Sequence, residues 1–180
     1  MKVRTEHIKD TVRQFVFREA AESFPVLASM VQSGECRFNG PVSVELNAGR
    51  EMDHYRVEGT LSAPVSLVCS RCLAEFDRVV SSQFTIFFRE GTGLGADDED
   101  EVELDERDLI SAVFEGDEID LLPEIGEQVA LTVPLKPLCS ETCKGLCPFC
   151  GADLNTTACG CGQEQAYSKF SALKNFKVRS

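Results

Sequence analysis

The sequence predicts an α+β fold: an antiparallel β-sheet-rich domain with a few short helices and a C-terminal cysteine-rich segment. Three observations predict it. Apolar and polar residues alternate through much of residues 36–88, the period of a half-buried strand. Helical spacing of apolar residues is confined to short stretches. Six of the nine cysteines crowd between Cys139 and Cys161.

Taken in order, residues 2–18 place Val3, Ile8, Val12, Phe15 and Phe17 among charges, which reads as one or two short strands. Phe24, Leu27, Ala28 and Val31 then recur at helical spacing. Ser23 is a plausible N-cap, Pro25 suits a first turn, and Gly34 should end the helix. Val42, Val44 and Leu46 alternate with Ser43 and Glu45, and Val65, Leu67 and Cys69 with Ser66 and Val68. Phe84, Ile86 and Phe88 share one face of a further strand. Asn39-Gly40-Pro41, Asn47-Ala48-Gly49 and Ser62-Ala63-Pro64 read as turns between them. Lone Cys36 reads as a small, half-buried strand residue rather than a ligand.

Residues 1–90 thus form a β-rich domain with a mid-chain cysteine pair, and 91–108 an acidic flexible linker. Gly91-Thr92-Gly93-Leu94-Gly95 is not a phosphate loop, because nine acidic residues follow and would repel the ligand. Residues 109–138 are a helical and strand return segment. In it, Asp120 caps a helix carrying Leu121, Leu122, Ile125 and Val129, with Pro123 in its first turn and Pro134 closing it. Residues 139–180 hold the cysteines and a short amphipathic helix with Ala166, Phe170, Leu173 and Phe176.

Eight cysteines fall into four close pairs: Cys69 with Cys72, Cys139 with Cys143, Cys147 with Cys150, and Cys159 with Cys161. Two thiolates at C-x2-C can turn toward one ion, and Gly151 allows the tight turn that aims amides at the sulfurs. Four pairs suit two tetrahedral sites, so the segment is predicted to be a zinc-knuckle segment holding one or two structural zinc ions. Locality favours Cys147, Cys150, Cys159 and Cys161 as one site. Elimination leaves Cys69, Cys72, Cys139 and Cys143 for the other. A single site with spare thiols is the rival arrangement. An iron–sulfur cluster also takes four thiolates, but the spacing matches no ferredoxin run.

The net charge is −12, and fifteen of the thirty acidic side chains lie in 97–127 with one basic residue, Arg107. Such a segment repels phosphate backbones and suits a basic partner, although a solvated loop is the plainer reading. No run of apolar residues is long enough for a membrane span, and residues 1–10 lack the apolar core of a signal peptide. A reducing cytoplasm is therefore expected, where nine cysteines serve as ligands rather than disulfides.

CSRCL at 69–73, PLKPLCSETCKGLCPFCGADLN at 134–155 and the closing CGC at 159–161 together resemble the bacterial and plastid large ribosomal RNA subunit accumulation protein (YceD) family. The resemblance spans residues 36–176. It implies a ribosome-biogenesis factor promoting accumulation or processing of large-subunit (23S) ribosomal RNA, with no enzymatic reaction attached. The partner it implies is a large-subunit precursor, ribosomal RNA or a small basic ribosomal protein. It also implies that Cys69 and Cys72 are the more general mark, since family members vary in the late cysteines.

The residues fit a non-catalytic role. His7 and His54 lie in no metal or nucleophile motif, and no HExxH, P-loop or nucleophile elbow is present. Four thiolates leave no open position for a reacting water. No membrane and no small-molecule substrate is expected. Two other functions stay open. A zinc ribbon could bind nucleic acid through Arg71, Lys136 and Lys144, with Lys169, Lys174, Lys177 and Phe149 in support. A thiol redox protein could use Cys69 and Cys72 beside Arg71.

Overall fold

Alternation builds the main sheet. In the computed structural model, which describes residues 1–9, 11–91 and 111–163, strand β4 (Val42–Glu51) buries Val42, Val44, Leu46 and Ala48 on one face. Its neighbours are β2 (Arg13–Glu19) and β5 (His54–Val68). β6 (Glu75–Glu90) buries Phe84, Ile86 and Phe88 on the same side, as their shared period requires. The order is β2-β4-β5-β6-β7, the last being Ser111–Phe114, with β3 (Arg37–Phe38) paired to β5 beyond the end of β4. The β2–β4 and β4–β5 pairs are antiparallel.

The expectation of an antiparallel sheet needs one correction. β7 (Ser111–Phe114) lies parallel to β6, pairing Phe87 with Ser111 and Glu90 with Phe114. The sheet is therefore mixed. A parallel neighbour needs a long crossover connection, and residues 91–110 supply the length. Most of the expected acidic linker, 92–108, and the expected terminal helix at 166–176 lie outside the described residues.

The turn signals were overridden by pairing. Asn47, Ala48 and Gly49 sit inside β4 opposite Glu58, Val57 and Arg56, and the chain reverses instead at Met52, whose φ is 55°. Ser62, Ala63 and Pro64 stay within β5. Phe38 pairs with Val65 but Ser43 with Ser62, so residues 39–42 oppose only 63–64. Asn39-Gly40-Pro41 is thus an outward bulge, and Pro64, which has no amide to donate, sits opposite it while its carbonyl accepts from Asn39 N at 2.9 Å.

Helix α1 (Pro25–Gln32) begins with proline as expected, but Ser23 does not cap it. The position before the helix is Phe24, which is fully buried, and Ser23 belongs to a 3-10 turn at Ala21–Ser23. Gly34 ends α1 as the sequence implies: its N–H reaches Val31 O at 3.1 Å, and Glu35 N reaches Met30 O at 3.1 Å. Helix α2 (Leu122–Thr132) follows β8 (Glu118–Asp120), and Asp120 Oδ1 accepts from Leu122 N at 3.0 Å. α2 packs on β6 and on α1. β1 (Lys2–Arg4) pairs with β8, closing Val3 and Ile119 into the core. Cys36 is buried just before β3, more enclosed than expected, and burial pushes its thiol pKa up.

Part of the acidic run is committed within the fold. Glu118 pairs with Lys2 at 3.2 Å and Arg4 at 3.4 Å, and Lys2 first, then Arg4, holds its carboxyl below the usual range. The chain divides into two units: Met1–Leu67 with Glu75–Leu135, and Val68–Ala74 with Lys136–Ser180. Among the described residues, no helix is long and apolar enough to cross a membrane.

Candidate metal centre

The second unit is two cysteine loops of one design. Cys69-Ser70-Arg71-Cys72-Leu73-Ala74 connects β5 to β6, leaving Arg71 exposed as expected. Cys69 N donates to Ala74 O at 2.9 Å and Leu73 N to Cys69 O at 2.9 Å. Cys147-Pro148-Phe149-Cys150-Gly151-Ala152 repeats this pattern: Cys147 N donates to Ala152 O at 2.8 Å and Gly151 N to Cys147 O at 2.9 Å. The residue after the second cysteine has a left-handed backbone in both, with φ of 73° at Gly151 and 59° at Leu73. Glycine adopts that conformation freely, but leucine is strained there. Leu73 is exposed, so its side chain gains little from burial. Leu73→Gly should therefore raise stability by up to about 1 kcal/mol, read as a shift in the denaturation midpoint.

Hydrogen bonds tie the first loop to residues 136–146. Ser70 N reaches Pro137 O at 2.8 Å, Leu146 N reaches Arg71 O at 3.1 Å, and Arg71 Nη1 reaches Cys143 O at 2.8 Å. Gly145, with φ of 75°, makes the close approach possible: a Cβ there would stand 3.0 Å from Arg71 O. These ties bring Cys69, Cys72, Cys139 and Cys143 together. The fold of 147–161 brings together Cys147, Cys150, Cys159 and Cys161. In each quartet all four sulfurs lie within 4.8 Å of one another. The grouping is the one that locality and elimination suggest.

The spacing fits a metal. Cys69 Sγ is 3.8 Å from Cys143 Sγ, and Cys72 Sγ is 3.6 Å from Cys139 Sγ. Four sulfurs each about 2.3 Å from a central ion stand about 3.8 Å apart at tetrahedral angles. A disulfide would need about 2.05 Å. All nine cysteines are free thiols. Either quartet can hold a metal ion.

The electrostatics of the quartets suit a cation. Backbone amides of Cys139, then Cys72 and Arg71, pull the Cys69 thiol down to about 6. Amides of Cys150 and Phe149 do the same for Cys147, also to about 6. The remaining sulfurs then crowd against negative charge. Contacts with Cys72 and then Cys143 push Cys139 up to about 12, and Cys150 pushes Cys161 up to about 11. A divalent cation removes that conflict and lets all four thiols ionise. Because binding requires thiolates, lowering the pH works against it. Metal release should occur on acidification, at a pH below the value of about 6 at which the metal-free Cys69 and Cys147 thiols take up protons, because a bound cation competes with those protons; a colorimetric chelator follows it.

Asn155 was not singled out by its sequence context. Its Nδ2 donates to Cys143 Sγ at 3.4 Å and to Asp153 Oδ1 at 2.7 Å, and its Oδ1 accepts from Lys144 N at 2.8 Å. It thus binds the 147–161 loop to a sulfur of the other quartet. Only its place in the Asp153-Leu154-Asn155 turn could have hinted at this. Asn155→Ala should weaken metal at the first quartet by about 10–100-fold in a competition titration, leaving the second unchanged.

The proposed basic contacts are placed differently. Arg71 spends its guanidinium on Cys143 O and, at 3.5 Å, on Glu141 O. Lys136 and Lys144 are exposed, and Phe149 is 67 % exposed. Lys169, Lys174 and Lys177 lie outside the described residues.

Residues 57–177 match the family model described as large ribosomal RNA subunit accumulation protein YceD, a span that includes both quartets. The chain is 27 % identical over 156 residues to the large ribosomal RNA subunit accumulation protein YCED homolog 1, chloroplastic, of Arabidopsis thaliana. That alignment covers 76 % of this chain and 49 % of the relative. Its counterpart in Zea mays is 28 % identical over 142 residues, covering 67 % and 48 %. An uncharacterized protein of Mycobacterium tuberculosis is 35 % identical over 98 residues, covering 54 % and 44 %. The chain spans about half the length of the curated relatives it matches. No solved structure matches. With two thirds of its length under the family model, both cysteine quartets included, the chain belongs to the YceD family of large ribosomal RNA subunit accumulation proteins.

Proposed function

We propose that this chain is a non-catalytic ribosome-biogenesis factor that promotes accumulation of large-subunit ribosomal RNA, acting in the cytoplasm. Family membership carries the reading. The two quartets hold zinc as structural ions. Zinc suits four thiolates at tetrahedral spacing, and four protein ligands leave no position for a substrate or water. The partner is a basic ribosomal protein or a pre-ribosomal particle carrying one. The acidic segment supplies the attraction, and residues 97–110 are its active part, because Glu118 and Asp120 are already engaged within the fold.

The test is the ratio of large- to small-subunit ribosomal RNA in cells lacking the gene, with and without a plasmid copy. A specific fall in the large-subunit species, restored by the wild type, supports the role; an unchanged ratio sinks it. Deleting 97–110 should abolish salt-sensitive binding to the partner, and undiminished binding would remove the electrostatic part.

Direct nucleic-acid binding is disfavoured because Arg71, the centre of the basic set, is turned onto Cys143 O. A redox role for Cys69 and Cys72 is disfavoured because each sulfur sits at ligand distance from a thiol of the 139–143 segment.

A further inference from the structure

Strand β2 is one edge of the main sheet, and its ladder partner is β4. The opposite edge, β7, is four residues long, whereas β2 has seven. Edge strands are ordinarily blunted by proline, a bulge, a covering loop or inward charge. Over Arg13–Glu19, β2 has no proline and its register with β4 is unbroken; the charges that share the aromatic face, Arg13 and Glu19, stand only at its two ends. Among the described residues, no backbone hydrogen bond outside the ladder reaches it. Val16 is 62 % exposed. Phe15 and Phe17 stack at 6.2 Å and stay half-exposed, although they share the face that packs the core.

The sequence of β2, RQFVFRE, is close to self-complementary about its centre. We propose that β2 pairs antiparallel with β2 of a second copy of this chain, about a two-fold axis at Val16, joining two sheets edge to edge. In that register Val16 meets the second copy's Val16. Phe15 meets the second copy's Phe17, and Phe17 its Phe15, gathering four phenyl rings on one face. Arg13 meets the second copy's Glu19, and Glu19 its Arg13. Directly opposed residues point to the same face, so odd residues meet odd ones and the aromatic side is kept. A two-fold axis can pass through either kind of antiparallel residue pair, so the pairing is allowed whichever amides of β2 point outward. The interface is isologous, as a closed dimer requires. A one-residue slip would separate the charge pairs and the rings together.

The experiment uses the full, metal-saturated chain in sedimentation equilibrium across the micromolar range. A reversible dimer is expected. Val16→Lys sets two ammonium groups across the axis and should leave a monomer. Arg13→Glu and Glu19→Arg each turn two attractive pairs into repulsive ones and should each weaken association at least about tenfold. The double variant Arg13→Glu with Glu19→Arg should recover the dimer, which misfolding of β2 would not allow. A monomer throughout the range overturns the proposal. So does a dimer indifferent to Val16→Lys and to the single reversals, or one that the double variant fails to restore.

Discussion

The wild type should bind two metal ions per chain, Cys69→Ser one, Cys147→Ser also one, and the double variant none. Each substitution removes a ligand whose charge the surrounding amides stabilise, leaving three thiols and a hydroxyl that coordinates zinc poorly. Structural zinc supplies about 10–16 kcal/mol of apparent binding free energy at neutral pH. A metal bound in the quartets would have few competitors as a source of stability in the second unit. Its described residues carry little regular structure: one isolated bridge between Leu146 and Asp153, and a 3-10 turn at Gly160–Gln163. Among its buried apolar side chains, cysteines predominate. Without metal, the double variant should lose protection from proteolysis across 136–163. Metal content by mass spectrometry of the native protein decides the matter. Two ions retained after either single substitution would refute the assignment of that quartet.

The largest effect in the first unit is expected at Phe24. Its side chain is fully buried at the start of α1 and lies against α2 beside Gly126. Truncating it would leave a void of several carbon atoms between α1 and α2. Phe24→Ala should cost about 3–5 kcal/mol, a large share of the 5–15 kcal/mol that holds a typical domain together. Phe149→Ala, at a site mostly exposed, should change stability by no more than about 0.5 kcal/mol. Urea denaturation with metal in excess separates the two. A loss below about 1 kcal/mol for Phe24→Ala would show that the helices repack freely.

Strand interiors and the grouping of the cysteines were legible in the sequence because each depends on a repeated signal. Val42, Val44 and Leu46, or Phe84, Ile86 and Phe88, declare a buried face three times over. The cysteines arrive already paired. What stayed hidden depended on single residues set against many. Asn47-Ala48-Gly49 has the composition of a turn, yet the ladder that runs from Ser43↔Ser62 to Glu51↔His54 carries it through as strand. Ser23 lost the cap position because burying Phe24 fixes where the helix begins. The parallel β6–β7 pair is set by where the chain returns after residue 110, about which local composition says nothing. Leu73 in a left-handed backbone runs against its own propensity, and only the likeness of its loop to the one ending in Gly151 gives it away.

The two quartets also differ in how the chain must fold to assemble them. Cys72 and Cys139 are 67 residues apart, and Cys69 and Cys143 are 74 apart, whereas the second quartet draws all its ligands from 147–161. Loop closure grows only slowly with length, by about 0.6 kcal/mol per doubling, so the entropic difference is modest. Timing is the larger contrast. A short loop closes on the order of 100 ns or less, while a long-range contact waits for the chain between to be organised. The 147–161 loop can take its ion in an otherwise unfolded chain. The other quartet can close only once the loop between β5 and β6 has met the 139–143 segment, so a metal held there would fasten a long-range contact and record that folding has reached it.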